Sequence, residues 1–162
     1  MGRQKRQRSG TPGELMIGLL EGFMWLDRGL QANLKARGLP HVRRLESMVM
    51  VYAAAGVQRP SELARQLGVT RQSINSAIRD LEEKDLIALA PDPRDRRCKI
   101  VELSKSGMPV HREAEAILAT LAQTLEERIG AKAVATLSQI TGADWGTPPL
   151  VATANKKRRA HA

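Results

Sequence analysis

Apolar residues recur along most of this chain at helical spacing. Leu15, Leu19, Phe23, Leu26, Leu30 and Leu34 fall on one stripe, the period of an amphipathic helix. In front of them, Thr11-Pro12-Gly13-Glu14 supplies an N-cap, a proline at the first helical position and a capping-box glutamate. Gly38 and Pro40 supply the stop. A helix is therefore expected from residue 11 to about residue 37. Met16, Ile17, Leu20, Met24 and Trp25 widen the apolar surface of its first half. A helix apolar on more than one side needs partners on more than one side. A dimer interface is the economical explanation, and an ordinary core helix is the alternative.

A second helix is predicted over residues 42–55, ended by Gly56, with residues 57–60 as a connection or a single-bridge strand. Pro60 or Ser61 opens a short helix that stops at Gly68, and Thr70 caps a further one over residues 71–84. Two strand candidates, residues 86–90 and 98–103, flank a polar tip with two prolines. Ser104 caps a long helix over about residues 106–129, with Val110, Ala114, Ile117, Leu118, Leu121 and Leu125 on one side. Pro109 falls in its first turn, where proline is tolerated. A last helix covers residues 131–140, and the chain after Gly142 reads as irregular.

The fold class expected is mainly α: a winged helix-turn-helix of three helices and a short β-hairpin wing, embedded in an α-helical dimerisation domain. The division expected is a basic tail at 1–10, a dimerisation helix at 11–38, the winged domain at 39–103, C-terminal helices at 104–141 and an irregular basic tail at 142–162.

Composition narrows the function. With 162 residues, 42% hydrophobic and 27% charged, the chain can bury a core. Phe23, Trp25, Tyr52 and Trp145 are its only aromatics, too few to read single strands by base stacking. Cys98 is the sole cysteine, so neither an intramolecular disulfide nor a cysteine-cluster metal site can form. No HExxH, GxSxG, GxGxxG or P-loop pattern occurs. An enzyme is not expected, and no cofactor or metal is called for. Residues 15–26 superficially resemble a secretory signal, but Glu14 and Glu21 interrupt them and Asp27-Arg28 follows. The run is also shorter than the roughly 20 residues of a membrane span. A cytoplasmic, nucleoid-associated protein with no membrane partner is expected.

The net charge is +9, and its location matters more than its size. Arg3, Lys5, Arg6 and Arg8 stand at one end, and Lys156, Lys157, Arg158 and Arg159 at the other. What lies between is close to neutral. Basic ends on a neutral body point to a polyanion partner.

The informative segment is residues 60–103. Ala64 and Gly68 followed by Val69 and Ile74 give the steric pattern of a helix-turn-helix: a small residue at the helix crossing, glycine at the turn, apolar anchors beyond. In the second helix Ile74, Ala77, Ile78 and Leu81 face inward. That leaves Arg71, Gln72, Asn75, Ser76 and Arg79 outward, side chains suited to base edges in a major groove. Ser61, Thr70 and Ser73 are further candidates for DNA contact, at phosphates or base edges. The wing tip offers Arg94, Arg96 and Arg97, cations that a narrow minor groove attracts. Asp92 and Asp95 are candidates to brace it, with Arg97 as the braced arginine.

This constellation strongly resembles the MarR family of bacterial winged-helix transcription regulators. The resemblance rests on the Asp-Pro-x-Asp-Arg-Arg wing from Asp92 to Arg97, on the Leu-Glu-x-x-x-Leu-Ile run from Leu81 to Ile87, and on Leu103-Ser104-x-x-Gly107. It covers about 45 residues in detail, and the helix order extends it over residues 11–141. The resemblance implies a homodimer intertwined through its first and last two helices, which binds double-stranded DNA at a near-palindromic operator. It further implies repression or activation tuned by a small aromatic or phenolic effector, or by thiol oxidation. Repression is the sign expected here. Met24, Trp25, His41, Met48 and Tyr52 are candidate linings of an effector pocket. Oxidation-sensing relatives carry a cysteine near the start of the first helix, and this chain has none there. Cys98 is read as structural, although Arg97 and Lys99 beside it would be expected to lower its thiol pKa. The competing reading is a winged helix used for protein–protein contact, with non-specific nucleic-acid affinity from the tails.

Overall fold

The computed structural model describes residues 11–150. The element order is α1 (Pro12–Ala36), α2 (Arg44–Ala54), α3 (Pro60–Leu67), α4 (Arg71–Glu83), β1 (Ile87–Pro91), β2 (Lys99–Leu103), α5 (Gly107–Ile129) and α6 (Ala131–Gly142). The basic ends, residues 1–10 and 151–162, lie outside the described residues. The chain forms two compact units, one up to Thr124 and the other from Leu125.

Local chemistry sets the element ends. The amide of Thr11 donates to the Glu14 carboxylate at 3.0 Å, as the capping-box pattern requires. The second helix starts at Arg44, two residues later than the apolar pattern suggests. Its start is fixed by the Glu46 carboxylate, which accepts the amide of Arg43 at 2.8 Å. Gly68 closes α3 in the left-handed conformation, φ 63°, where a side chain would be strained. The strands pair antiparallel from Ile87↔Leu103 to Pro91↔Lys99. They are joined to the α2–α3 connection by the amide of Val101, which donates to the carbonyl of Gln58 at 2.9 Å. This single bond stands where a bridge strand was expected.

The main core gathers Val49, Met50 and Ala53 of α2, Leu63 and Ala64 of α3, Ile74, Ala77, Ile78 and Leu81 of α4, and Leu86, Ile87, Val101 and Val110 beyond. A smaller cluster joins Leu30 and Leu34 of α1 to Ile117 of α5. These helices pass closely at Gly29, where an added Cβ would come within 2.8 Å of Leu121 Cδ1. The apolar stripe of α1 is thus buried only in its second half. Leu15, Met16, Ile17 and Leu20 are at least half exposed, Met16 at 72%.

Charged pairs tie α2 to its neighbours. Asp27 of α1 is buried and accepts Arg44 Nε and Nη2 at 3.0 and 2.9 Å. The same guanidinium lies 5.8 Å from the centre of the Phe23 ring. Glu46, 1% exposed, takes Lys84 Nζ at 2.5 Å and Arg43 Nε at 2.6 Å. Arg43 also pairs with Asp80. In the second unit Val134 is buried, and the indole N–H of Trp145 donates to the carbonyl of Ile140 at 2.7 Å.

Candidate nucleic-acid interface

The helix-turn-helix is positioned by its apolar side. Ile74, Ala77, Ile78 and Leu81 are all buried, so Arg71, Gln72, Asn75 and Arg79 face solvent. Ser76 is half-buried at the edge of this face. Thr70 Oγ1 accepts the amide of Ser73 at 3.1 Å and lies 2.8 Å from its hydroxyl. Thr70 and Ser73 therefore use part of their hydrogen-bonding capacity to cap α4. Arg71 and Asn75 line an open groove of about 430 Å³ together with Arg59, Pro60, Ser61, Cys98 and Lys99. The starts of α3, α4 and β2 thus converge beside the exposed face of α4.

The wing tip is shaped by two aspartates. Asp92 accepts the Arg94 amide at 2.8 Å, and Asp95 accepts the Arg97 amide at 3.1 Å. Backbone bonds from Asp92 N–H to Cys98 O, at 3.0 Å, and from Cys98 N–H to Asp95 O, at 2.8 Å, close the loop. Arg94, Arg96 and Arg97 are exposed. The guanidinium that meets Asp92 is that of Arg59, with Nε 2.6 Å from Oδ2. Arg97, expected in that role, contributes its amide to Asp95, and its side chain is exposed. The Arg94 amide and the Arg59 guanidinium hold the Asp92 carboxyl below its usual range.

Cys98 departs from expectation. Its thiol is pushed up, first by the negative charge of Asp95, to which it donates at 3.6 Å. Arg97 and Lys99 are its neighbours in sequence, but Asp95 is the charge its sulfur meets. This lowers the thiolate fraction on which oxidation depends.

The residues suggested for an effector pocket are not brought around one cavity. A small, partly open cavity among α1, α2 and α5 is about 30 Å³. It is lined by Leu30, Leu34, Val42, Met50, His111 and Leu118, among others, and not by Met24, Trp25, Met48 or Tyr52. His41 lies in an open, polar cleft beside Arg43, Asp80, Glu83 and Lys84. Helical spacing places a residue on a face without saying which neighbour that face meets. Tyr52 packs onto the main core from its edge. Arg59 and Lys99 were missed among the groove residues. Arg59 precedes the helix-opening proline and Lys99 opens a strand, so neither falls on a helical face that sequence patterning reads.

Residues 48–97, from α2 through the wing tip, match the profile of the MarR family. This match spans about a third of the chain. Over 49 residues the chain is 43% identical to the transcriptional activatory protein BadR of Rhodopseudomonas palustris, covering 30% of this chain and 28% of that protein. A stretch of 52 residues is 38% identical to the HTH-type transcriptional repressor NicR of Pseudomonas putida, covering 32% of this chain and 33% of that protein. The chain thus matches about a third or less of the length of these relatives. Among solved structures, wild-type MarR from E. coli superposes with a TM-score of 0.64 at 21% identity, covering 83% of this chain and 96% of that one. A MarR-family regulator from Rhodococcus sp. RHA1 gives 0.62 at 23% identity, covering 82% and 94%. These likenesses show the fold: a mainly helical chain carrying a two-stranded wing. Among the described residues no helix is long and apolar enough to cross a membrane.

Proposed function

We propose that this MarR-type chain is a sequence-specific, double-stranded DNA-binding transcription regulator that acts as a homodimer on a near-palindromic operator. The observation that carries the reading is the split face of α4. Its apolar residues are consumed by the core, and Arg71, Gln72, Asn75 and Arg79 are left exposed beside a groove that also holds Ser61 and Lys99. Arg71 and Asn75 suit guanine and adenine edges in a major groove. Ser61 and Thr70 suit phosphates, and the exposed wing arginines suit a narrow minor groove. The exposed apolar half of α1 supports the dimer, since a second copy would cover it. Two-fold symmetry would then set the half-sites about 10 bp apart. BadR is by name an activator and NicR a repressor. We take repression as the sign, because blocking a promoter requires only DNA occupancy. A small aromatic or phenolic effector would tune that binding.

The test is selection from randomised duplexes followed by competition binding. Arg71→Ala and Asn75→Ala should each shift the preferred bases, at a cost of about 1–3 kcal/mol per lost bidentate contact. Wild-type selectivity in both variants would overturn the assignment of this face. Binding that does not discriminate among duplexes would favour the protein–protein module.

A further inference from the structure

Ile87 and Val101 anchor the base of the two-stranded wing in the main core. The exposed residues of its tip lie beyond that anchorage, yet the tip must be aimed if its arginines are to reach a groove. Among the described residues, two hydrogen bonds join the hairpin to residues 57–60: Val101 N–H to Gln58 O, and Arg59 Nε to Asp92 Oδ2. The first holds the middle of β2. The second reaches the tip.

Arg59 is itself fixed by α3. Its carbonyl accepts the amides of Glu62 and Leu63, each at 2.9 Å, as the N-cap of that helix. Its partner Asp92 is 2% exposed. The other carboxylate oxygen of Asp92 holds the amide of Arg94, and the Asp92 carbonyl accepts the amide of Asp95 at 3.2 Å. One carboxylate thus connects the shape of the tip to the first turn of α3. Arg59 also borders both clefts on either side of this connection. One holds Ser61, Arg71, Asn75 and Lys99, and the other holds Asp92, Pro93 and Arg94.

We infer that Arg59 is a positioning residue for DNA binding: through Asp92 it sets the wing at a fixed angle to the helix-turn-helix, so that wing and α4 engage one duplex together. The inference rests on the DNA-binding reading above. Arg59 does not act on DNA itself, because its guanidinium is committed to a buried carboxylate. A residue that acts only through the wing has a thermodynamic signature. Its removal and removal of the wing arginines are not additive.

The test uses the full chain and the operator duplex recovered by selection with the wild-type protein. Arg59→Ala should weaken binding to within a factor of about two of the Arg94→Ala/Arg96→Ala double variant. The triple variant should be no weaker than that double variant by more than about twofold. Asp92→Asn, nearly isosteric, should reproduce Arg59→Ala, and Arg59→Lys should recover most of the loss. Base preference at the positions read by α4 should stay as in wild type. If Arg59→Ala does not unfold cooperatively, Asp92→Asn alone and combined with Arg94→Ala/Arg96→Ala makes the same comparison. Multiplied losses in the triple variant, or wild-type affinity in Asp92→Asn, would overturn the inference and leave the DNA-binding reading standing. A wild-type chain that recovers no duplex would overturn both.

Discussion

Glu46 and Asp92 are carboxylates kept charged in nearly buried positions. Burial alone would push the Glu46 carboxyl up. The hydrogen bonds from Lys84 and from the Arg43 amide and guanidinium outweigh it and hold the group below its ordinary 4.5. Asp92 is held below its ordinary 3.8 by the Arg94 amide and Arg59. Groups whose folded pKa is lowered contribute stability that is present above their unfolded values and lost as pH falls through the folded ones. The chain should therefore lose stability through these two groups as pH falls below their ordinary values of 4.5 and 3.8. Glu46→Gln and Asp92→Asn should each be less stable than wild type near neutrality, with a flatter acid limb. Urea unfolding at a series of pH values checks this; parallel limbs would remove these carboxylates from the acid transition. Glu46→Ala should cost about 1–3 kcal/mol, because Lys84 and Arg43 lose their shared acceptor but remain partly hydrated.

At the scale of elements, the joint between β1 and α5 is set by a glycine. A Cβ on Gly107 would overlap the carbonyl oxygen of Leu86. That carbonyl accepts the Ser104 amide at 3.1 Å, while Ser104 Oγ accepts the Gly107 amide at 2.8 Å. The Leu103-Ser104-x-x-Gly107 pattern is thus a helix cap combined with a close backbone approach. Gly107→Ala should destabilise the fold by about 1–3 kcal/mol, read as a lower thermal midpoint. Helix α1 gives the opposite case. Ile17 and Leu20 are 50% and 60% exposed, so the pair Ile17→Glu and Leu20→Glu should cost a single folded chain little. In sedimentation that variant should be a folded monomer where the wild type is a dimer. An unchanged dimer would place the interface elsewhere.

For the whole molecule, the placement of charge along the sequence leads to a prediction of its own. Eight basic residues stand at the two ends of the chain, outside the described residues, on a body close to neutral. Each phosphate neutralised on duplex DNA contributes about 0.9 to the slope of log affinity against log salt. If half of the tail charges of a dimer engage, their share is roughly −7. Deleting residues 1–9 and 155–162 should weaken operator and random DNA alike, flatten the salt dependence and preserve base preference. Titration at several salt concentrations decides it, since parallel lines would mean that the ends do not touch the duplex.

The sequence by itself determined what short-range physics controls. The helices follow from apolar spacing, their ends from Thr11, Gly68, Thr70 and Ser104, and the exposed face of α4 from the inward set Ile74, Ala77, Ile78 and Leu81. Each depends on residues within a turn or two of each other, so local order suffices. Tertiary structure alone decided which distant groups meet. Asp92 pairs with Arg59, 33 positions away, rather than with Arg97 in its own turn. The Cys98 thiol faces Asp95 rather than its cationic neighbours. The small cavity among α1, α2 and α5 lies against His111 and Leu118 rather than Trp25 and Tyr52. Periodicity assigns a side chain to a face, but the packing of one element on another decides what that face touches. Electrostatic partners and cavities depend on that packing.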